Sequence, residues 1–125
     1  MSPATACREP WTWPDSLDAL TAAPNHHRLL LENEQVRVLD VHIPVGDTVP
    51  VHTHRWWSVM YVLSSSDFIR RDGEGRVVLD TRISPPPANS SAAIWQPPLP
   101  PHSVENVGKA SIHLIAVELK DAPVA

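Results

Sequence analysis

The chain has a single cysteine, Cys7, which rules out an internal disulfide and fits a reducing compartment. It has no basic run. Ten Lys and Arg stand against fourteen Asp and Glu, a formal net charge of −4, so binding to a phosphate backbone is not expected. No segment approaches membrane-spanning length, and Met1 to Arg8 contain no apolar stretch of the kind that directs secretion. The expectation is a cytoplasmic protein without a nucleic-acid or membrane partner. Internal repeats and domain linkers are also missing, and 125 residues suffice for one domain with a real core. Proline is the excess. Fourteen prolines weigh against long helices and favour short strands and loops.

The first residues, to about position 14, carry Pro3, Pro10, Trp11, Trp13 and Pro14 and read as an arm whose tryptophans cover a surface of this subunit or a partner. Asp15 and Ser16 can cap a short helix over Leu17 to Ala22, which Pro24 stops. Strand patterns follow. Arg28 to Glu32 precede a turn at Asn33 and Glu34. Val36 to Ile43 alternate, with Leu39, Val41 and Ile43 on one face and Asp40 and His42 on the other. Pro44 to Asp47 form a turn in which Gly46 can take positive φ. Thr48 to His54 are rich in β-branched residues, and Ser58 to Leu63 are apolar on both faces, the mark of a central strand. Asp67 to Arg71 and Arg76 to Arg82 flank a strong hairpin signal, Asp72-Gly73-Glu74-Gly75. Ser84 to Ser91 are a loop and Ala92 to Gln96 a short strand. Pro97 to Pro101 are a stiff connection, His102 to Val107 alternate, and Ile112 to Leu119 close the domain. About nine short strands between turn signals imply a sandwich or barrel.

Gly46 to His54 concentrates the chemistry. On an extended segment, residues two apart point to the same face, so His52 and His54 present two imidazoles side by side. On a helix the same spacing would separate them. His102 arrives from fifty positions away, after the rigid proline run, as a third candidate ligand. Imidazole suits Fe, Zn, Cu, Ni or Mn, so residue type alone leaves the metal open.

These residues resemble the cupin superfamily. Gly46, five residues, then His52-Thr53-His54 match the start of its first motif. His102, three residues, then Asn106 match the end of its second, with Pro97 at that motif's proline position and Leu99 where it has glycine. The resemblance covers roughly residues 28 to 119. It implies an all-β, single-domain cupin β-barrel (a double-stranded β-helix or jelly roll) over residues 26–125, preceded by an arm with a short helix over residues 1–25. It also implies one divalent metal per chain on His52, His54 and His102, and a homodimer.

One departure stands out. Cupins usually supply a glutamate ligand three or four residues after the second histidine; here those positions are Ser58 and Val59, and no acidic residue lies between His54 and Asp67. Three neutral histidines leave the full +2 on the metal, whose remaining positions then favour an anionic ligand. Some three-histidine cupins, including the β-diketone-cleaving and thiol dioxygenases, use Fe(II) in this way. The resemblance therefore implies an Fe(II) dioxygenase taking O₂ and a small anionic or enolisable substrate. With Zn(II) or Ni(II), the same ligands would support lyase, isomerase or hydratase chemistry. A ligand-binding cupin without catalysis is the third reading.

Around the histidines, Trp56 shares the parity of His54 and is the candidate pocket wall, with Ser58 and Met60 on the same face if the strand is regular. A bulge after Arg55 would reverse these assignments and bring in Tyr61. Arg55 is placed to attract an anion. Gln96 and Asn106 are candidates to orient a histidine or touch substrate, Asn106 being equally a turn residue ahead of Gly108. Trp95 is either pocket, core or subunit interface. His26, His27, His42 and His113, without partner motifs, read as structural or surface residues.

Overall fold

The structure, a computed structural model, describes residues 11–88 and 90–120. The part of the expected arm that carries Pro3, Cys7 and Pro10 lies outside these residues. Nine strands are present: β1 (His27–Glu32), β2 (Val36–Ile43), β3 (Thr48–His54), β4 (Ser58–Ser64), β5 (Phe68–Asp72), β6 (Val77–Asp80), β7 (Ala93–Gln96), β8 (Leu99–Asn106) and β9 (Ile112–Leu119). All paired strands run antiparallel. One sheet has the order β1-β2-β9-β4-β7, the other β3-β8-β5-β6.

The alternation in β2 falls as its sequence dictates. Leu39, Val41 and Ile43 are buried, and they join Val49, Ile112 and Ala116 in the core. Each large aliphatic side chain buried here contributes about 1.5–3 kcal/mol of transfer free energy. Gly46 takes φ +85 in the turn between β2 and β3, a conformation that an L side chain would strain. The turn before β9 is held by Asn106, whose Nδ2 donates to the carbonyls of Ile43 and Ala110 and whose Oδ1 accepts from the Gly108 amide. A Cβ on Gly108 would collide with Ser66.

The N-terminal helix is shorter than expected. A 3₁₀ turn over Asp15–Leu17 leads into α1 (Ala19–Ala22), and Asp18, not Asp15 or Ser16, provides the cap by accepting from the Leu20 amide. An isolated bridge joins Asp18 to Thr53, which fixes the turn and α1 against the histidine strand. No helix among the described residues is long and apolar enough to cross a membrane.

β4 is flanked by β9 and β7, but only one of its faces is covered. Ser58, Met60, Val62 and Ser64 line the interior; Val59, Tyr61 and Leu63 point outward. Trp95, opposite Val59, joins them on the outer face and stacks on Trp57 with ring centroids 5.1 Å apart. β4 is central in its sheet, as expected, and its outer face is apolar and open.

Candidate metal centre

Four histidines meet at one end of the interior. His52 and His54 project from β3, and His102 is the direct partner of His52 across the β3–β8 pair. His27 opens β1, where its pairing with Val41 sets it on the inward parity of β2. His27, His52 and His54 place ligand atoms within 4.8 Å of one another, a cluster that could hold a metal ion. The His102 ring packs against His52 at a centroid distance of 4.3 Å and lies 5.8 Å from His54. The tight triad thus includes His27, which the sequence reading had set aside as structural, and His102 stands beside it as a fourth imidazole.

Each ring is held through Nδ1. His52 Nδ1 meets the Pro50 carbonyl and His102 Nδ1 the Pro100 carbonyl, both at 2.7 Å. The two arrangements are alike: a proline two residues before the histidine, at an irregular point of the β3–β8 register, turns its carbonyl to the ring and not to the neighbouring strand. β8 therefore begins at Leu99, inside what the sequence suggested was a connection. His27 Nδ1 meets the carbonyl of Ala23, at the C-cap of α1, at 3.0 Å. His54 Nδ1 meets Glu118 Oε2 at 2.8 Å. An acceptor on every Nδ1 assigns its proton there and leaves every Nε2 as a lone-pair donor.

Burial keeps His27, His52 and His102 in the ligating form. It pushes His27 down to about 4, His52 to about 2 and His102 to about 3, with neighbouring imidazoles adding to the shift and the carbonyl hydrogen bonds opposing it. Metal–imidazole bonds of about 2.1 Å bring donor atoms within about 4 Å of each other, close to the observed cluster. The donor set fits a divalent metal.

Behind His54 runs a charged chain. Glu118, only 1% exposed, accepts from His54 Nδ1 and, through Oε1, from Arg37 Nε at 2.7 Å. Arg37 donates through both terminal nitrogens to Asp18 at 2.9 Å, and Asp18 caps α1. Burial alone would raise the Glu118 pKa, but the His54 hydrogen bond and the Arg37 charge outweigh it and hold the carboxyl below its usual range. Glu118 sits opposite Ser58, where a carboxylate ligand was missed in the sequence. Its two oxygens are committed to Arg37 and His54, so it orients a ligand.

The histidines form one end of a cavity of about 740 Å³. Ser58, Met60 and Gln96 line it, alongside apolar side chains such as Val62, Ile94 and Leu114. Other expected residues are elsewhere. Trp56 follows the end of β3, where strand parity no longer applies. It lies among Arg37, Arg55 and Lys120, whose charged groups are 5.0, 5.6 and 5.9 Å from its ring centroid. Arg55 is exposed and does not line the cavity. Tyr61 and Trp95, 53% and 56% exposed, are on the outer face. Asn106 is the structural peg of the β8–β9 turn. Arg70 and Glu118, which the sequence reading did not single out, both line the cavity.

No family model matches the sequence, and no curated protein is significantly similar to it. Solved structures are similar in fold. A cupin domain from Bordetella pertussis Tohama I aligns at a TM-score of 0.58 with 19% identity, over 75% of this chain and 91% of that one. A double-stranded β-helix protein from Klebsiella pneumoniae aligns at 0.51 with 19% identity, over 79% and 74%. An RmlC-like cupin from Methanocaldococcus jannaschii aligns at 0.51 with 9% identity, over 90% and 91%. With two antiparallel sheets closing around a histidine-lined cavity, the chain has the cupin fold, a double-stranded β-helix.

Proposed function

We propose that the protein is a metal-dependent enzyme that binds one divalent ion on His27, His52, His54 and His102 and acts on a small anionic or enolisable substrate. The observation that carries this reading is the set of four imidazoles, three of them buried, each with Nδ1 occupied and Nε2 free, at the end of an apolar cavity. A bound ion would supply Lewis acidity, withdrawing electron density from an anionic oxygen or sulfur of the substrate. The chain contributes the rest. Its apolar walls exclude water, the Ala23, Pro50 and Pro100 carbonyls and Glu118 hold the rings, and the Gln96 amide and Ser58 hydroxyl offer polar contacts nearby.

Fe(II) with O₂ is the first reading, since neutral nitrogen donors leave the metal's positive charge for an anionic substrate. A Zn(II) or Ni(II) enzyme doing lyase, isomerase or hydratase chemistry is the second, and His27 favours it: a fourth imidazole leaves fewer positions for substrate and O₂ together. Metal analysis of protein purified without chelator is the test. About one ion per chain is expected, with His52→Ala losing it and His27→Ala weakening it about tenfold or more. A stoichiometry near zero after loading with Fe(II), Zn(II) and Ni(II) would remove the enzyme reading. Oxygen consumption with diketone, thiol and hydroxy-acid substrates separates the first reading from the second, for which turnover continues anaerobically.

A second copy of the chain is the partner this reading assigns to the outer face of β4 and β7, where Val59, Tyr61, Leu63 and Trp95 form a contiguous apolar surface. Sedimentation velocity should show a dimer that Tyr61→Glu dissociates; a monomeric wild type at the highest soluble concentration would contradict it. A cytoplasmic location accompanies the reading, supported by the lone cysteine.

A further inference from the structure

Arg70 follows Phe68 on the inward face of β5 and lines the cavity. Register sets its place. It is opposite Val104 on β8 while Asp72 is opposite His102, so Arg70 is diagonal to His102, a relation that spans about 7–8 Å between strands. Its guanidinium therefore enters the cavity one step from the histidine cluster.

Among the described residues nothing neutralises it. Arg28, Arg37, Arg71, Arg76 and Arg82 each contact a carboxylate, and Arg55 is exposed; among the described residues no ion pair includes Arg70. Its Nε is buried without a hydrogen-bond partner, and the Phe68 ring, 5.8 Å from Cζ, is weak compensation. The carboxylates nearby are engaged: Asp67 accepts from the Thr81 hydroxyl at 2.8 Å, and Glu118 serves Arg37 and His54. Burial pulls the Arg70 pKa below the ordinary arginine value, but a guanidinium stays protonated in a protein. A desolvated, unpaired cation is costly, and the cost is recovered when an anion enters.

We propose that Arg70 recognises the ligand of this cavity, pairing with the carboxylate or enolate head of a small organic monoanion whose apolar body lies along Met60, Val62, Phe68 and Leu114. The planar guanidinium presents paired donors that match a carboxylate. Arg55, to which the sequence reading gave the anion, is outside against Trp56. The proposal deepens the enzyme reading by naming its substrate class, but the recognition step requires no metal and is measured without one.

The test is calorimetric titration of metal-free protein with benzoate and with benzyl alcohol, an uncharged ligand of similar size. Wild type should prefer benzoate by about tenfold or more, the scale of one charge-assisted pair. Arg70→Met should lose that preference, keep its affinity for benzyl alcohol, and raise the ligand-free Tm by about 2–5 °C because an unpaired, half-buried charge has gone. Arg70→Lys should keep part of the preference. Three results would overturn the proposal: wild type showing no preference or no binding, Arg70→Met retaining the preference, or both ligands being lost together in the Met and Lys variants, which would make Arg70 a spacer. His52→Ala, titrated in parallel, should retain Arg70-dependent binding, so failure of the metal reading would leave this result standing.

Discussion

Replacing Glu118 with alanine should cost about 3–5 kcal/mol of stability, the range for breaking one side of a buried ion pair, and should weaken metal binding by about 10–100-fold. Both effects come from one carboxylate. Its Oε1 holds Arg37 and its Oε2 holds His54 Nδ1, and it is almost fully buried. Without it, Arg37 keeps only Asp18, and the Nδ1–H of His54 loses the acceptor that aims Nε2 at the cluster. Against a total stability of about 5–15 kcal/mol the loss is large. Denaturant unfolding reads the first effect, and competition with a chromophoric chelator reads the second. Glu118→Gln keeps the shape but has one acceptor for two donors, so it should fall between wild type and alanine. The double variant Arg37→Met, Glu118→Leu removes both charges and should recover stability while leaving metal binding weak. That split separates a role in the fold from a role in orienting His54. A Glu118→Ala protein within about 1 kcal/mol of wild type and with unchanged metal affinity would mean that the chain from Asp18 to His54 carries neither role.

The residues of that chain were partly visible in the sequence. β2 and β9 have the same bounds in the sequence pattern and in the fold: β2 alternates, and β9 is an apolar run that starts after the Gly108 turn. The alternation that buries Leu39, Val41 and Ile43 also puts Arg37 inside, and the face of Ile112, Leu114 and Ala116 ends at Glu118. An arginine and a glutamate at the ends of two apolar faces are a signal for a buried pair. Linking them requires the register Arg37 to Glu118, which depends on which strands are neighbours. His27 was hidden for the same reason. It follows a Pro-Asn turn without a second histidine at strand spacing, and only its pairing with Val41 turns it inward. Arg70 belongs to a hairpin that was legible, but its side chain is significant because a partner is absent, and no sequence pattern displays that. Extending the parity of His54 placed Ser58 and Met60 rightly in the cavity lining but misplaced Trp56, and Tyr61, the choice had a bulge reversed that parity, points outward. Residues 55–57 belong to no strand: there the chain passes from the sheet of β3 to the sheet of β4, so strand parity does not place Trp56.

Acid should unfold the metal-free protein from the histidine cluster. In the unfolded chain each imidazole titrates near 6.5, whereas in the fold His27, His102 and His52 accept a proton only near 4, 3 and 2. A depressed folded pKa makes the contribution complete above pH 6.5 and erodes it as pH falls, because the unfolded chain takes up protons that the fold refuses. Each ring removes about 1.4 kcal/mol per pH unit once the pH is well below 6.5, so three together approach about 4 kcal/mol per unit. By pH 5 the loss is about 6 kcal/mol, comparable to the whole stability of a small domain. The carboxylates held low by ion pairs, Asp18 and Glu118, weaken the fold in the same direction, but only as pH drops through the carboxylate range, so the window between 6.5 and 5 belongs to the imidazoles. Urea unfolding at half-unit pH steps measures the proton uptake from the slope. About three protons are expected near pH 5, and His102→Gln should remove about one of them. A bound metal adds stability at neutral pH but is released as protons compete for Nε2, so the metal-loaded protein should show the steeper decline. Uptake of fewer than one proton across this window would mean that His27, His52 and His102 are solvated and already protonated in the fold, and their reading as neutral donors would go with it.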